Sequence, residues 1–186
     1  MDNLINVMRI AITGTPGTGK DTIAEMLAEK MGLAVVDIGR LAIEKKYGKK
    51  DKERDTFEVD AGQLKKELKG KQGILVSNWA ELMPNDITIV LRCAPKELAK
   101  RLKKRKWPEA KIKENIEAEC LDSCLISAVE NAKTVYEVDN TKGKGKTVEK
   151  ILEFIKKRPK PDYSISWIEQ VEKAAEYARD NKSKRA

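Results

Sequence analysis

Short apolar runs alternate along the chain with segments whose apolar residues recur at helical spacing. Five of these runs have the length and composition of buried strands: residues 7–13, 33–37, 73–79, 86–91 and 134–138. The regular alternation of strands and helices predicts an α/β domain with one parallel, five-stranded sheet flanked by helices. Ligands of such sheets bind at the carboxyl ends of the strands, so candidate site residues are sought there.

The intervening segments have recognisable helix start and stop residues. Helices are predicted at residues 20–31, 38–47, 60–68, 95–104, 108–133 and 147–157. Asp60 and Thr147 are expected to cap two of them, and Pro95 opens a third. The 108–133 segment carries an unbroken apolar stripe and is predicted as one long helix. Residues 48–58 are highly charged with few apolar side chains, which predicts a mobile surface excursion.

Two prolines separate the last part of the chain from a predicted domain of residues 1–157. Residues 158–162, Arg-Pro-Lys-Pro-Asp, are predicted as a linker, and residues 163–186 as a helix with a basic tail. Ser166 and Glu169 match a capping box. One face of this helix carries Trp167, Val171, Ala174 and Ala178. The helix either packs back on the domain or docks on a partner or an RNA.

Composition narrows the classes of function. The 186 residues suit one compact domain with a small appendage. A net charge of +8 suits an anionic partner such as nucleic acid or a ribosomal particle. The sequence contains no histidine, so acid–base chemistry must use carboxylates, lysine or water, which excludes many hydrolase mechanisms.

Cysteine usage and hydropathy indicate the compartment. Cys93, Cys120 and Cys124 suit a reducing cytosol. Cys120 and Cys124 lie one helical turn apart, and without a second ligand pair they are predicted as core residues rather than zinc ligands. No apolar run approaches the roughly 18 residues of a membrane span. We therefore expect a soluble, cytoplasmic protein that does not contact a membrane.

Residues 8–22 join an apolar strand to a glycine-rich turn and a helix. The spacing Gly14-x-x-x-x-Gly19-Lys20 predicts a phosphate-binding loop, because glycine lets successive N–H groups approach a polyphosphate. Lys20 adds a mobile positive charge for the β- and γ-phosphates, and the helix N-terminus favours the same anion. The predicted nucleotide-binding residues of the loop are Gly14, Thr15, Pro16, Gly17, Thr18, Gly19, Lys20, Asp21 and Thr22.

The residue after Lys20 departs from the general motif, in which Ser or Thr follows the lysine as a Mg²⁺ ligand. Here Asp21 occupies that position and Thr22 comes one residue later. Thr22 is therefore the candidate metal ligand. The loop resembles that of adenylate kinases, and this resemblance implies that Mg²⁺ is held largely through water and the nucleotide. The departure then weakens direct metal ligation by the loop more than it weakens nucleotide binding.

The loop Gly-Thr-Pro-Gly-Thr-Gly-Lys-Asp-Thr resembles that of adenylate kinases, which is Gly-x-Pro-Gly-x-Gly-Lys-Gly-Thr. Four further elements make the resemblance more particular: Asp37-Ile-Gly39, Glu81-Leu-Met-Pro84, Arg92-Cys-Ala-Pro95, and Arg101-x-x-x-Arg105 followed by Glu114-Asn115-Ile116. Over about residues 8–156 the chain resembles the nuclear-type adenylate kinase family (isoenzyme six). Its charge-rich composition also resembles that of proteins from hot-growing organisms, and we expect an archaeal member.

This resemblance implies an ATPase with ATP and Mg²⁺ as ligands, acting in maturation of the small ribosomal subunit. It implies an acceptor-nucleotide region at about residues 37–61 and a short lid at about 104–114, from which Arg105 reaches the nucleotide. Lys20, Thr22 and Arg105 are then the candidate catalytic residues.

The resemblance also implies a partner. This is a small-subunit ribosomal protein of the platform region, bound to a monomer of this chain, with the pre-ribosomal subunit or rRNA as a further partner. A basic tail of that protein suits the acidic residues Asp51, Glu53, Asp55, Glu58 and Asp60.

Three positions depart from the family pattern. Ile43 stands where an acceptor-side arginine aligns, with Arg40 nearby, and Ser77 and Trp79 replace an Asp-x-His pair. Either hydrolysis is slow, or another carboxylate substitutes, for which the candidates are Asp21, Asp37 and Glu81. Two alternatives stay open: a nucleoside monophosphate kinase that converts ATP and AMP to ADP, and a nucleotide-gated assembly factor with little turnover.

Overall fold

The computed structural model describes residues 8–51 and 56–179. Its strands are β1 Arg9–Thr13, β2 Val35–Asp37, β3 Gly48–Asp51, β4 Thr56–Val59, β5 Gly73–Val76, β6 Ile87–Arg92 and β7 Val135–Asp139. Five of them form a parallel sheet in the order β2-β5-β1-β6-β7, and β3 pairs with β4 in a separate antiparallel hairpin. The predicted α/β fold with a parallel five-stranded sheet is confirmed.

Helices cover both faces of the sheet. They are α1 Lys20–Met31, α2 Ile38–Glu44, α3 Ala61–Glu67, α4 Pro95–Lys104, α5 Glu109–Cys120, α6 Ser123–Asn131, α7 Lys144–Lys157 and α8 Ala174–Ala178. Two 3₁₀ segments, Ala80–Leu82 and Ile168–Lys173, complete the described elements.

Successive residues of β1 point to opposite faces of the sheet, which divides the core into two layers. Ile10 and Ile12 pack with α1 and α7 in one cluster, while Ala11 packs with Leu64 and Leu68 in a cluster on the other face. Burial on both faces explains why the central strands read as continuous apolar runs. The sheet therefore forms a rigid platform for the loops that follow its strands.

The carboxyl ends of the five parallel strands lie at one edge of the sheet. Their last residues are Thr13, Asp37, Val76, Arg92 and Asp139. The glycine-rich loop follows the central strand β1, so the loops after its neighbours β5 and β6 flank it. This topology places the candidate site at the middle of that edge.

The surface excursion predicted at residues 48–58 contains regular structure that was not predicted. Strands β3 and β4 pair as a hairpin, in which Lys49 lies opposite Glu58. This cross-strand pair of opposite charges favours the hairpin, and Tyr47 and Val59 pack against the main core at its base. The acidic residues Glu53 and Asp55, and the side chain of Asp51, lie outside the described residues.

The single helix predicted at residues 108–133 is two helices, α5 and α6. Asp122 adopts a left-handed conformation with φ 54°, which ends one helix and begins the next. Arg92 holds the break, because its Nη2 donates to the carbonyl oxygen of Glu119 at 3.0 Å and also to Asp122 Oδ1. The apolar stripe continues across the break, so the sequence pattern alone did not reveal it.

Two helix ends also differ from prediction, and a third is confirmed. Helix α2 ends at Glu44 rather than 47, since Lys46 adopts a left-handed φ of 57° and leads into the hairpin. Helix α7 begins at Lys144 after Gly143, so Thr147 lies inside it and is not its N-cap. Asp60 does cap α3, because its side chain accepts a hydrogen bond from Gln63 N at 3.0 Å.

The C-terminal segment packs on the domain. Ala174 and Ala178 are buried in a cluster with α4 and α5, and Trp167 and Val171 lie against the same cluster. The predicted capping box does not begin an α-helix, because residues 168–173 form 3₁₀ structure before α8. The basic tail, residues 180–186, lies outside the described residues.

Among the described residues, no helix is both long and apolar enough to span a membrane.

Candidate active site

The glycine-rich loop lies tightly against strand β6 and helix α4. Gly14 has φ 134°, and a Cβ there would lie 2.4 Å from the carbonyl oxygen of Leu91 on β6. Gly17 has φ 96°, and a Cβ there would lie 2.8 Å from Leu98 Cδ1 on α4. A side chain at either position would be strained by the positive φ and by these close contacts, so both positions require glycine.

Lys20 lies folded over this loop. Its Nζ donates hydrogen bonds to the carbonyl oxygens of Gly14 at 2.7 Å and Thr15 at 3.2 Å. Burial lowers the pKa of the Lys20 ammonium, and the nearby charge of Arg105 lowers it further. The ammonium group is held at the loop by neutral oxygens, which an incoming phosphate can replace.

A cavity of about 280 Å³ opens beside the loop. It is lined by Pro16, Gly17, Gly19, Lys20, Asp21, Asp37, Gly39, Val76, Ser77, Asn78, Trp79, Arg105 and Trp107. These residues come from the loops after β1, β2 and β5 and from the turn after α4. The structure thus brings Lys20 and Arg105, which are 85 positions apart in the sequence, to one cavity.

The predicted loop residues have different surroundings. Pro16, Gly17, Gly19 and Asp21 line the cavity with Lys20, and Gly14 accepts the Lys20 hydrogen bond. Two threonines stabilise the loop through their hydroxyl groups. The Thr15 hydroxyl donates to Glu119, and Thr18 Oγ1 donates to the Thr15 carbonyl oxygen at 2.9 Å.

Thr22 is half-buried in the first turn of α1 and is not among the residues that line the cavity. The structure therefore places Thr22 outside the group formed by Lys20, Asp21 and Arg105. Asp21 and Asp37, two of the carboxylates considered as substitutes for the missing pair, do line the cavity. The third, Glu81, is 3% exposed and accepts a hydrogen bond from Ser127 on α6. It does not line the cavity.

A second set of residues ties the loop to the end of β7. Arg101 donates from Nη1 to the carbonyl oxygen of Thr18 at 3.2 Å and from Nη2 to those of Asn140 and Thr141 at 2.9 Å. Asn140 Nδ2 also donates to the Thr18 carbonyl oxygen, at 2.7 Å. These residues were not among the predicted site residues. The signals available in the sequence were the Arg101-x-x-x-Arg105 spacing and the polar loop that follows β7.

A buried ionic network lies beneath the loop. Arg92, which is 1% exposed, donates to Glu119 at 2.9 Å and to Glu137 at 3.0 Å, and also to Asp122. Burial raises the pKa of Glu137, whereas the hydrogen bonds from Ile165 N and Arg92 oppose that rise. Because Glu119 also accepts a hydrogen bond from the Thr15 hydroxyl, this network holds the phosphate-binding loop in place at Thr15.

The acceptor side of the cavity carries no arginine among the residues that the structure describes. Ile43, the position aligned with the family arginine, is 58% exposed and does not line the cavity. Arg40 Nε donates to Glu44 at 2.7 Å, and its side chain is 76% exposed. The basic lining residues of the cavity are Lys20 and Arg105.

The cysteines behave as core residues. Cys93 and Cys120 are fully buried, and Cys124 packs partly buried against the cluster around Leu125. Burial raises the pKa of the Cys93 thiol to about 12 and that of Cys120 to about 11. In the described part of the chain no group of three or more Cys, Asp or Glu side chains is arranged to hold a metal by itself.

Comparison with known proteins gives close relatives. A family model described as "AAA domain" matches residues 10–122. A Pyrococcus furiosus protein named "Putative adenylate kinase" is 45% identical over 152 residues, which cover 80% of this chain and 82% of that protein. A Methanocaldococcus jannaschii protein of the same name is 39% identical over 170 residues, which cover 88% of this chain and 94% of that protein.

Solved structures share the fold at lower identity. Shikimate kinase from Acinetobacter baumannii, in complex with shikimate, matches with a TM-score of 0.59 at 17% identity, covering 86% of this chain and 99% of that one. Deoxyadenosine kinase from M. mycoides matches with a TM-score of 0.54 at 19% identity, covering 82% and 100% respectively. These likenesses establish the fold of the P-loop kinases.

Proposed function

The chain belongs to the family of these archaeal adenylate-kinase relatives, and from that premise we propose an enzyme that binds Mg-ATP and cleaves its γ-phosphoryl group, with water as the favoured acceptor. The observation that carries the proposal is the shared cavity in which Lys20 and Arg105 lie beside the glycine-rich loop. Phosphoryl transfer requires little covalent chemistry from the protein. It requires positioning and the stabilisation of negative charge, and this cavity supplies both.

Lys20 and the loop would bind the phosphates. The β- and γ-phosphates replace the carbonyl oxygens of Gly14 and Thr15 as partners of the Lys20 ammonium. Free N–H groups at the start of α1 and the positive end of its dipole favour the same anion. Because the ammonium is partly buried, its attraction for the phosphoryl oxygens is stronger than at an exposed site.

Arg105 lines the same cavity and would complete the site. Its side chain is exposed at the end of α4, so a bound triphosphate can contact it. A second positive charge over the transferring group stabilises the charge that builds up on its oxygens. Lys20 and Arg105 would therefore act on the same phosphoryl group.

The residues of the cavity fit a magnesium ion bound with the nucleotide. Asp21, Asp37 and Ser77 line the cavity near Lys20 and supply the oxygen donors that Mg²⁺ prefers. When bound, Mg²⁺ neutralises phosphate charge and orients the triphosphate. Asp21 and Asp37 are better placed for this than Thr22, and they would hold the ion through its water ligands.

Water is the favoured acceptor because, within residues 8–51 and 56–179, no arginine lines the acceptor side of the cavity. An AMP phosphate requires positive charge of its own, and Lys20 and Arg105 are engaged by ATP. Asp37 and Asn78 line the cavity on this side and can orient a water molecule.

Phosphorylation of AMP is the second candidate, and the printed names of the relatives favour it. The two activities differ in one observable. A nucleoside monophosphate kinase forms two molecules of ADP for each ATP only when AMP is present, whereas an ATPase releases inorganic phosphate without AMP.

We further propose that the enzyme acts in maturation of the small ribosomal subunit through a ribosomal protein of the platform. This proposal is supported by the resemblance over residues 8–156 and by two carboxylates at the end of the β3–β4 hairpin, Glu58 and Asp60. A basic ribosomal-protein tail would complement those carboxylates. In this proposal the bound protein changes the rate of ATP cleavage.

The experiment measures phosphate and ADP release from Mg-ATP alone, with AMP, and with a purified small-subunit ribosomal protein of the platform. Phosphate release that rises with the ribosomal protein supports the assembly ATPase. ADP formation that requires AMP supports the kinase. Nucleotide-dependent binding of the ribosomal protein without turnover would instead identify a nucleotide-gated assembly factor.

A further inference from the structure

Trp107 is a shared wall between two cavities. On one side its indole lines the cavity that also contains Lys20 and Arg105. On the other side it lines a cleft of about 600 Å³ together with Ile112 and Ala178. The C-terminal helix α8 therefore lies one side chain away from the candidate phosphate site.

Trp107 and Arg105 belong to one rigid turn. Lys106 adopts a left-handed φ of 57°, its N–H donates to the Lys103 carbonyl oxygen at 2.9 Å, and Trp107 N donates to the Leu102 carbonyl oxygen at 3.4 Å. This pair of bonds is a Schellman motif, which fixes the path of the chain at the end of a helix. A shift of the Trp107 ring is therefore transmitted to Arg105, two residues earlier.

The C-terminal segment holds the outer side of that turn. Trp107 packs in a cluster with Leu102, Ile112, Ala174 and Ala178, of which Ala174 is 0% and Ala178 2% exposed. The Lys103 ammonium donates to the carbonyl oxygen of Arg179 at the end of α8. Lys111 Nζ lies 4.4 Å from the centroid of the Trp107 ring and covers it with a cation–π contact.

The C-terminal segment is also hydrogen-bonded to the ionic network beneath the glycine-rich loop. Ile165 N donates to Glu137 Oε1 at 2.8 Å, and Arg92 Nη1 donates to the Ile165 carbonyl oxygen at 3.4 Å. Arg92 and Glu119 in turn hold Thr15 of the loop. The C-terminal segment thus contacts both the ionic network that supports the glycine-rich loop and the turn that carries Arg105.

We infer that residues 165–179 are a positioning element of the nucleotide site: α8 seats Trp107, and the seated Trp107 holds Arg105 in the cavity that also contains Lys20. The inference rests on the proposed function in one respect, namely that the cavity binds the phosphates of ATP. It assigns no catalytic chemistry to Trp107 or to the C-terminal segment.

The test uses the full chain with Ala178→Asp, which places a charge in the contact between α8 and Trp107. The matched control is Glu176→Ala, on the exposed side of the same helix. Folding is checked by far-UV circular dichroism, and ATP affinity is measured by calorimetry with Mg-ATP. Trp107→Phe is included because it keeps an aromatic ring at the contact.

We expect Ala178→Asp to weaken ATP binding by about tenfold, Glu176→Ala to leave it unchanged, and Trp107→Phe to retain most of it. Arg105→Ala should weaken binding in the wild-type background but have little further effect in the Ala178→Asp background, since both changes remove the same contact. A folded Ala178→Asp protein with ATP affinity within about twofold of wild type, or full additivity with Arg105→Ala, overturns the inference.

If Ala178→Asp does not fold, Ala178→Val, which adds two methyl groups to the same contact, is held to the same criteria. Failure of the ATP site on which the inference rests gives a different result, because wild type then shows no ATP binding that depends on Lys20. If wild type binds ATP through Lys20 and the Ala178 variants bind equally well, only the positioning role is wrong.

Discussion

Arg92 Nε lies 2.9 Å from Glu119 Oε1, and both side chains are 1% exposed. The other oxygen of the Glu119 carboxylate accepts from the hydroxyl of Thr15, so one buried ion pair supports the phosphate-binding loop. Glu119 Oε1 also accepts from Cys93 N at 3.0 Å, just after β6. The loop therefore depends on a carboxylate that is 104 residues away in the sequence.

Replacing Glu119 with Gln should destabilise the protein. The substitution leaves Arg92 buried with one carboxylate fewer and turns an acceptor for Thr15 into an amide. Removing one partner of a buried ion pair costs about 3–5 kcal/mol, and we expect the lower end because Glu137 and Asp122 remain. Chemical denaturation measures the free energy of unfolding, and Glu117→Gln on the same helix is the control. A loss below about 1 kcal/mol would show that the Arg92 network is not strongly coupled to stability.

Asn140→Ala should loosen the loop rather than the whole fold. Asn140 Nδ2 donates to the Thr18 carbonyl oxygen at 2.7 Å, and Thr147 Oγ1 donates to Asn140 Oδ1 at 3.0 Å. Losing both hydrogen bonds from a buried site lowers the local stability of the loop by about 1–3 kcal/mol. Asn131→Ala, at an exposed position on α6, is the control. Amide hydrogen exchange should rise at Thr18 and its neighbours in the Asn140 variant, and unchanged protection there would contradict this role.

Stability should fall at high pH because of Cys93. Burial raises its thiol pKa to about 12 in the folded protein, whereas an unfolded cysteine has a pKa of about 8.5. Above the unfolded value the unfolded chain loses a proton that the folded chain keeps, so stability declines between those two values.

Thermal melting at about pH 8 and about pH 10 measures this effect for wild type and Cys93→Ala. The variant loses some packing at both pH values, so the comparison is between the pH-induced changes in Tm. We expect a smaller decrease in the variant. Equal decreases would indicate that other groups account for the whole alkaline loss.

Ser77→Asp should raise ATP turnover. Ser77 lies in the loop after β5 and lines the cavity with Lys20. An aspartate there would restore the carboxylate of the Asp-x-His pair that Ser77 and Trp79 replace. A positioned carboxylate that orients metal-bound water or accepts its proton contributes about 10²–10⁴-fold, and we expect at least about tenfold. Phosphate release is compared with that of Ser123→Asp, an exposed position at the start of α6. A rate equal to or below wild type would show that Asp21 and Asp37 already fill the role.

The fold and the phosphate-binding loop could be predicted from the sequence because both depend on local patterns. Gly14, Gly19 and Lys20 have a spacing that few other structures require, and the strand runs match a sheet buried on both faces. The hairpin after α2 was missed because its stabilising pair, Lys49 and Glu58, reads as ordinary surface charge.

The rest of the site depends on contacts between distant residues. The break at Asp122 is made by Arg92, 30 residues away, and nothing in the apolar stripe of residues 108–133 marks it. Asn140 and Arg101 hold the loop through backbone carbonyl oxygens, which any sequence possesses. Thr22 was expected at the metal by analogy with the general motif, whereas the cavity is lined by Asp21 and Asp37.

The central claim is that the loop and Lys20 bind Mg-ATP and cleave it without an organic acceptor. The most direct test is phosphate release from Mg-ATP by wild type, Lys20→Ala and the control Lys30→Ala, with no AMP present. The account predicts steady release by wild type and Lys30→Ala, and a loss of at least about 100-fold in Lys20→Ala. Release that is equal in all three proteins, or that appears only when AMP is added, would contradict it.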